Sequence, residues 1–310
     1  MSLLVVGTVA FDTIETPFGR AERVLGGSAT YASLAARLLA EPVRLSAVVG
    51  GDFPEAHVAA LADRGVDVEG LARDPEGKTF FWAGRYHHDL NHRDTLATHL
   101  NVLATFRPAL PDAYRDSEIV CLGNLDPTVQ GQVLDQTPDA GLVVMDTMNY
   151  WIENTPGELA AILKRVDVLV INDAEARELA GTSNLVRAAR EVRAMGPETL
   201  VIKKGEHGAL LFTGDAADPD IFFAPAYPLE EVVDPTGAGD VFMGGFAGTI
   251  ARMGRSAGAL RQAVIVGSAL ASYAVQAFGP DRMLSLTRAD LDARLDAFAR
   301  LSAVPEGIGA

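Results

Sequence analysis

The sequence is poor in cysteine and in basic residues, and each shortage excludes some structural features or binding partners. One cysteine, Cys121, occurs among 310 residues, so the chain cannot form an internal disulfide. Lys and Arg number 26 against 41 Asp and Glu, which gives a net charge of −15. This charge repels nucleic-acid phosphates and anionic membranes, so we expect neither as a partner. The cysteine usage predicts a reducing, cytoplasmic location, with Cys121 as a small core residue.

Several familiar signatures are also missing. No apolar run reaches the roughly 18 residues of a membrane span. The apolar start of the chain has no basic residue before it and ends at Asp12, so it predicts a first core strand rather than a signal peptide. Gly77-Lys78-Thr79 lacks the earlier glycine of a Walker loop, since position 72 is Ala72. No G-x-G-x-x-G follows the first strand, which disfavours a Rossmann dehydrogenase.

Apolar runs of strand length alternate with helical patterns over most of the chain. We predict strands near residues 3–6, 44–49, 118–122, 142–146, 167–171 and 199–203. We predict helices near residues 29–39, 127–136, 157–164, 173–180 and 184–195, the first with Ser28 as its N-cap. Such alternation is typical of a doubly wound, mostly parallel sheet with helices on both faces. The runs 209–212 and 221–223 predict a terminal meander.

Two segments interrupt this alternation. Residues 13–24 read as a hairpin, and residues 78–91 carry aromatic residues with strand propensity but no following helix. Together they predict a small sheet that stands apart from the main one. It could be an ordinary edge sheet or a mobile lid that excludes water from a reaction site; we favour the lid. His87, His88, His92 and His99 lie in or near this region, but their spacing without cysteine partners is poor for zinc.

The segment 231–246 carries the strongest chemical signal. Pro235 ends an apolar, strand-like run, and Gly237-Ala238-Gly239 then opens a helix of small residues. A glycine turn at a helix start leaves several N–H groups free to bind an anion. Asp240 lies in the first turn of this helix, where a carboxylate can accept a proton from an attacking hydroxyl. A simple tight turn with a dipole-favoured aspartate is the alternative.

This segment resembles the C-terminal signature of the ribokinase-like (PfkB) family of carbohydrate and nucleoside kinases. The family pattern D-x-x-G-A-G-D matches at Asp234, Gly237, Ala238, Gly239 and Asp240. The resemblance implies one ribokinase-like α/β domain over residues 1–310, with a small β lid inserted near 13–25 and 78–106. It further implies an ATP-dependent kinase in which Asp240 is the general base and the Gly237–Asp240 amides stabilise the phosphoryl group.

Other site residues follow from the same resemblance. Asp12, expected at the end of the first strand, would bind sugar hydroxyls together with Gly26 and Gly27. Tyr31 departs from the family, in which many sugar kinases have asparagine; its ring suits stacking on a sugar or a base. This departure puts a ribose or fructose substrate in doubt.

The nucleotide side of the site is implied by two further motifs. Asn172-Asp173-Ala174-Glu175 resembles the N-x-x-E motif, whose glutamate orders Mg²⁺ through water and whose asparagine lies near the triphosphate. The same residues also fit a helix capping box. Lys203 or Lys204, Gly205 and Gly208 resemble the segment beside the phosphates, and a solvated lysine pair is the alternative. Asp234 and Thr236 would neighbour a monovalent cation such as K⁺.

The sequence therefore predicts a kinase that uses ATP and Mg²⁺ to phosphorylate a sugar or sugar-like small molecule. A nucleoside kinase is the first alternative, since Tyr31 and the aromatic segment could hold a base. A sugar-binding regulatory protein without turnover is the second, which the intact Asp240 and Asn172–Glu175 residues disfavour. Phe80, Trp82 and Tyr86 would share one face of the lid. The other face is expected to pack against a second subunit, which predicts a homodimer.

Overall fold

The computed structural model describes residues 1–301, and the predicted domain extends nine residues beyond them, through 302–310. Its fourteen strands are β1 Leu3–Val6, β2 Ala10–Thr16, β3 Gly19–Gly26, β4 Val43–Gly50, β5 Val66–Asp67, β6 Leu71–Asp74, β7 Phe81–Tyr86, β8 Arg93–His99, β9 Ile119–Leu122, β10 Leu142–Met145, β11 Val168–Asn172, β12 Thr199–Lys203, β13 Ala209–Gly214 and β14 Pro219–Ala224.

The α-helices in the same residues are α1 Ser28–Ala36, α2 Glu55–Asp63, α3 Asp112–Arg115, α4 Pro127–Leu134, α5 Asn149–Asn154, α6 Pro156–Leu163, α7 Asp173–Ala180, α8 Leu185–Ala194, α9 Ala238–Met253, α10 Ala257–Ala274, α11 Asp281–Ser285 and α12 Arg288–Leu301. Short 3₁₀ helices cover Asn101–Thr105 and Gly205–His207. In the part of the chain that the structure describes, no helix is long and apolar enough to span a membrane.

A ten-stranded sheet forms the centre of the molecule. Its strand order is β14-β13-β12-β11-β10-β9-β1-β4-β5, and β6 also pairs with β4. The pairs from β12 through β4 to β5 and β6 are parallel, whereas β13 and β14 add antiparallel at one edge. The predicted parallel sheet and terminal meander are thus confirmed.

The apolar strands explain why helices cover both faces of this sheet. Alternate side chains of a strand point to opposite faces. Leu3 and Val5 of β1 belong to one buried cluster with α1, α9 and α10, while Leu4 and Val6 belong to a second with α4, α6 and α8. A strand buried on both faces must be apolar throughout, as these are.

The remaining four strands form a separate small sheet, with the order β3-β2-β7-β8. β2 pairs antiparallel with β3 and parallel with β7, and β7 pairs antiparallel with β8. The two segments that interrupt the alternation in the sequence therefore do pair with each other. We call these four strands the small sheet.

Local expectations near the site need three corrections. The N-cap of α1 is Gly27; Ser28 is already helical, and its hydroxyl instead accepts a hydrogen bond from the N–H of Thr8. Asp12 does not end the first strand, because the chain leaves the central sheet at Gly7 and Asp12 lies within β2 of the small sheet. The apolar run before Pro235 is not a strand; its N–H groups at 233 and 234 donate to the carbonyl of Val275 instead.

The glycines of α9 allow close contacts with two helices. Gly245 lies against Gly267 and Leu270 of α10. Gly244 and Gly248 instead face α1, where a methyl group on Gly244 would lie 2.1 Å from the carbonyl oxygen of Ala32. Packing on both sides fixes α9, and with it the turn from which the helix starts.

Candidate active site

The start of α9 forms an open cradle of backbone N–H groups. Gly237 is its N-cap, in the left-handed conformation with φ 77°. Within residues 1–301, the N–H groups of Gly239 and Asp240 donate to no acceptor, as expected of a first helical turn. These free donors and the helix dipole favour a bound anion. Ala238 adds only a methyl group beside them.

Asp240 lies in this first turn near two charged side chains, Lys203 at the end of β12 and Asp146 directly after β10. A methyl group on Gly239 would lie 3.0 Å from Nζ of Lys203, so the ammonium lies next to the cradle. Lys203 Nζ is 3.2 Å from Oδ2 of Asp146. Removal from solvent and the charge of Asp146 raise the pKa of Asp240 to about 7, opposed by Lys203. Its carboxyl can therefore both hold and release a proton near neutral pH.

Lys203 and Asp146 form a buried ion pair. Their side chains are 15% and 9% exposed. Burial raises the pKa of Asp146, whereas the pKa of Lys203 is raised by the carboxylates of Asp146, Glu175 and Asp240 against the effect of burial. Lys203 therefore stays charged at neutral pH.

The Asn172–Glu175 motif lies where β11 ends and α7 begins, beside β12. Asn172 is paired in register with Lys203. Its Oδ1 accepts from the N–H of Glu175, and Glu175 Oε2 accepts from the N–H of Asn172, both at 2.8 Å. The capping box is therefore present, and it fixes the glutamate beside the lysine. Burial and Asp146 raise the pKa of Glu175 to about 7.

Asp12 comes from the small sheet and contacts the Gly26-Gly27 pair. A methyl group on Gly26 would lie 1.9 Å from Asp12 Oδ2, so only glycine admits the carboxylate there. The N–H of Gly27 donates to this carboxylate. Burial, followed by Asp234 and Asp240, raises the pKa of Asp12 to about 8. Three of the four predicted substrate-binding residues, Asp12, Gly26 and Gly27, therefore meet at one place, within electrostatic reach of Asp240.

Tyr31 lies at the same place but not as expected. Its ring is 1% exposed, and a methyl group on Gly237 would lie 2.5 Å from it. The ring therefore packs against the cradle turn and presents no open face for stacking on a sugar or a base. Its hydroxyl is buried and, in the described chain, has no hydrogen-bond partner. That hydroxyl is the part of Tyr31 that a ligand could use.

Asp234 orders the turn before the cradle. Its Oδ1 accepts from the N–H of Thr236 at 2.8 Å, and Oδ2 accepts from the N–H of Gly279 at 3.2 Å. Asp234 is 1% exposed and has no cation partner within residues 1–301. Thr236 also donates its hydroxyl to that of Tyr86 in β7, at 3.2 Å. The small sheet therefore contacts the cradle segment directly.

The loop after Lys203 is a glycine turn. Gly205 and Gly208 have φ 54° and 83°, and the carbonyl of Gly208 accepts from the N–H of Lys204. A methyl group on Gly208 would lie 2.1 Å from the carbonyl oxygen of Ala224, so this glycine is needed for packing. Asn91, in the connection between β7 and β8, donates its side-chain amide to Glu206 at 2.9 Å and so contacts this loop.

Sequence reasoning missed Asp146. It follows β10 directly, at the same sheet edge as Asn172 and Lys203, and the signal was an acidic residue ending an apolar strand.

Two other predictions concern Cys121 and the histidine cluster. Cys121 is buried in the core, as predicted, and burial raises the pKa of its thiol. In the histidine cluster, His87 contacts Asp94 and His92 contacts Asp89 at the exposed tip of the small sheet.

Comparison with known proteins agrees with this geometry. Residues 2–286 match the pfkB family carbohydrate kinase. The chain belongs to this family. It is 30% identical over 250 residues to a cytidine kinase of Thermococcus kodakarensis, an alignment that covers 79% of this chain and 87% of the relative. It is therefore an ATP-dependent kinase that phosphorylates a sugar-like small molecule.

Solved structures of the family share the fold. A nucleoside kinase of Burkholderia thailandensis in complex with inosine has a TM-score of 0.74 at 22% identity, covering 98% of this chain and 100% of that one. A protein of E. coli in complex with ATP and Mg²⁺ has a TM-score of 0.78 at 18% identity, covering 96% and 99%. The doubly wound ribokinase fold is thus established for this pfkB-family chain.

Proposed function

We propose that this kinase acts on nucleosides and transfers phosphate to a hydroxyl of their ribose. The observation that carries the proposal is the position of Trp82. It is paired in register with Asp12, so both side chains lie on the same face of the small sheet. A methyl group on Gly84 would lie 2.2 Å from the indole, so the ring covers this glycine on the same face of β7. Asp12 would hold the ribose hydroxyls, and Trp82 would stack on the base.

The relatives support the same choice. A free sugar needs hydroxyl-binding groups but no aromatic platform, whereas a base gains from stacking by about 1–3 kcal/mol. The cytidine kinase and the inosine-bound nucleoside kinase both act on, or bind, ribosides. A free pentose or hexose is the other candidate, since the family description is that of carbohydrate kinases. The test below separates the two.

The proposed transfer uses groups already at the cradle. Asp240 accepts the proton of the attacking hydroxyl, with its pKa of about 7 suited to this task. The N–H groups of Gly239 and Asp240 stabilise the charge that develops on the transferred phosphoryl group. Lys203, whose ammonium lies next to the cradle, balances the charge of the phosphates. Gly205 and Gly208 shape the loop against the nucleotide.

The residues present also fit Mg²⁺ and a monovalent cation. Within residues 1–301, no cluster of three or more acidic or histidine side chains could hold a metal alone. Mg²⁺ commonly takes few protein ligands and keeps several waters, so Glu175 acting through water is sufficient. When bound with ATP, Mg²⁺ would neutralise charge on the phosphates. Asp234, a buried carboxylate without a cation partner in this part of the chain, fits K⁺ beside Thr236.

We also propose a single cytoplasmic domain over residues 1–310 in which the small sheet is a lid and the dimer interface. Tyr86 already contacts Thr236 just before the cradle, and Asn91, between β7 and β8, contacts Glu206 in the loop after Lys203. The small sheet exposes apolar side chains at Phe18 (64%) and Leu96 (50%). With one face of the sheet over the site, a second copy of the chain would bury these exposed apolar side chains.

A screen of phosphate acceptors tests the substrate class. ADP release is measured with cytidine, inosine and other nucleosides, and in parallel with free pentoses, hexoses, sugar acids and inositols. The proposal expects kcat/KM to be highest for a nucleoside, and Trp82→Ala to reduce that value while sparing any weak activity on free ribose. A free sugar preferred over every nucleoside, with Trp82→Ala neutral, would reject the nucleoside proposal and keep the kinase.

A further inference from the structure

Arg93 occupies a notable position on the small sheet. It is the first residue of β8 and lies directly opposite Tyr86 in the antiparallel pair with β7. Directly opposite residues in such a pair project from the same face. Tyr86 contacts Thr236, two residues before the cradle begins at Ala238. The face that carries Arg93 is therefore the one turned towards the phosphate-binding turn.

The guanidinium of Arg93 is free to bind a ligand. Arg93 is exposed, and within residues 1–301 it forms no ion pair and no side-chain hydrogen bond. Arg85, on the same small sheet, differs: it is paired in register with Glu15, and its Nε lies 3.0 Å from Oε1 of that residue. Arg85 is one residue from Tyr86 and so projects from the opposite face.

The position of Arg93 agrees with its electrostatic effect. Arg93 shares a face of the small sheet with Tyr86, whose hydroxyl accepts a hydrogen bond from Thr236 just before the cradle. The positive charge of Arg93 also opposes the burial that raises the pKa of Asp240. The guanidinium therefore lies within electrostatic reach of the proposed general base, on the face of the small sheet that is turned towards the cradle.

We propose that Arg93 binds the transferred phosphoryl group of the donor and stabilises it during transfer. A guanidinium presents a planar fork that matches two phosphate oxygens, and it remains charged at all relevant pH values. Lys203 would contact the phosphates from the central sheet and Arg93 from the small sheet. Closure of the small sheet through Asn91 and Glu206 would then complete the set of charges around the reaction.

Binding of the two nucleotides tests this proposal without an acceptor. MgATP and MgADP are titrated into the wild-type chain and into Arg93→Ala and Arg85→Ala by calorimetry. We expect Arg93→Ala to weaken MgATP binding by about 10–100-fold, the range of a lost charge-assisted hydrogen bond, while MgADP binding stays within a few-fold. Arg85→Ala should alter neither. Equal losses for both nucleotides, or none, would overturn the proposal.

Turnover provides the second readout, measured with the best acceptor from the screen. Arg93→Ala should lower kcat by about 10²–10³-fold, as does loss of one preorganised donor to a developing charge. Arg93→Lys should recover part of that loss, because it restores the charge but not the fork. The acidic limb of the pH–rate profile should move to higher pH in Arg93→Ala. A merely structural role would lower the melting temperature and leave this limb in place.

If the screen finds no nucleoside substrate, the nucleotide-binding comparison still decides the role of Arg93. If MgATP binding depends on Arg93 but nucleosides are poor acceptors, only the proposed substrate class fails. The Arg85→Ala control matters because it removes one positive charge from the same sheet. Equal effects of the two substitutions would mean that Arg93 acts only through its positive charge on an acidic protein, and not by binding the phosphoryl group.

Discussion

Replacing Asp240 with asparagine is the most direct test of the chemistry. Asparagine keeps the size and shape of the side chain at the third position of α9, so the cradle should persist. It cannot accept a proton from the attacking hydroxyl. We therefore expect kcat to fall by about 10²–10⁴-fold, with little change in the KM for ATP.

The raised pKa of Asp240 also predicts how the wild-type rate depends on pH. Burial and Asp146 raise the pKa of Asp240 to about 7, with Lys203 and Arg93 opposing them. Only the ionised carboxyl can act as a base, so the rate should be level above this pKa and fall about tenfold per pH unit below it. At pH 5 about 1% of the sites would be ionised, which predicts a roughly 100-fold slower reaction.

The assay is the pH profile of kcat/KM for the acceptor, with ATP saturating and ADP release followed in a coupled reaction. The wild-type chain should show the acidic limb, whereas the residual rate of Asp240→Asn should depend less steeply on pH between 5 and 8. Some dependence should remain, because the pKa values of Glu175 and Asp12 are also raised, to about 7 and about 8. Circular dichroism and MgADP binding serve as controls for folding. Near-wild-type turnover in the folded variant, or an acidic limb as steep as that of the wild-type chain, would refute the assignment of Asp240 as the base.

Two further predictions concern the metal and the small sheet. Glu175→Gln keeps an oxygen that can accept from the N–H of Asn172, so the helix cap survives; the Mg²⁺ concentration for half-maximal rate should nevertheless rise because water-mediated binding is weakened. An unchanged Mg²⁺ dependence would leave Glu175 as a cap alone. Substrate should change the fluorescence of Trp82, isolated by Trp151→Phe, and sedimentation at micromolar concentration should give a dimer. A monomer without a Trp82 response would contradict both the interface and the stacking.

Local chemistry made much of this molecule predictable from its sequence. Gly237 and Gly239 were identifiable because a turn that admits an anion at a helix start allows few other residues. The central strands were identifiable because burial on both faces requires continuous apolar runs. The Asn172–Glu175 motif was identifiable twice over, as a cap and as a kinase motif, and the structure contains the cap.

The errors arose where long-range packing decides the position. Tyr31 has the right chemistry for stacking, but its ring packs against Gly237, more than 200 residues away in sequence. Asp146 meets Lys203, 57 residues further on, only because β10, β11 and β12 are adjacent in the sheet. Sequence spacing specifies which residues share a face, but not which neighbour that face meets.

The charges around the cradle affect how ATP, the phosphate donor, can bind. Asp146, Glu175 and Asp240 lie around the cradle, and burial raises the pKa of each carboxyl because it disfavours the charged form. The phosphates of ATP would add to this charge, and Lys203 alone cannot balance them. The donor must therefore arrive with Mg²⁺ or meet a second protein cation. In the described chain Arg93 is an unpaired cation whose charge already acts on both Glu175 and Asp240, so closure of the small sheet and binding of the donor should be coupled.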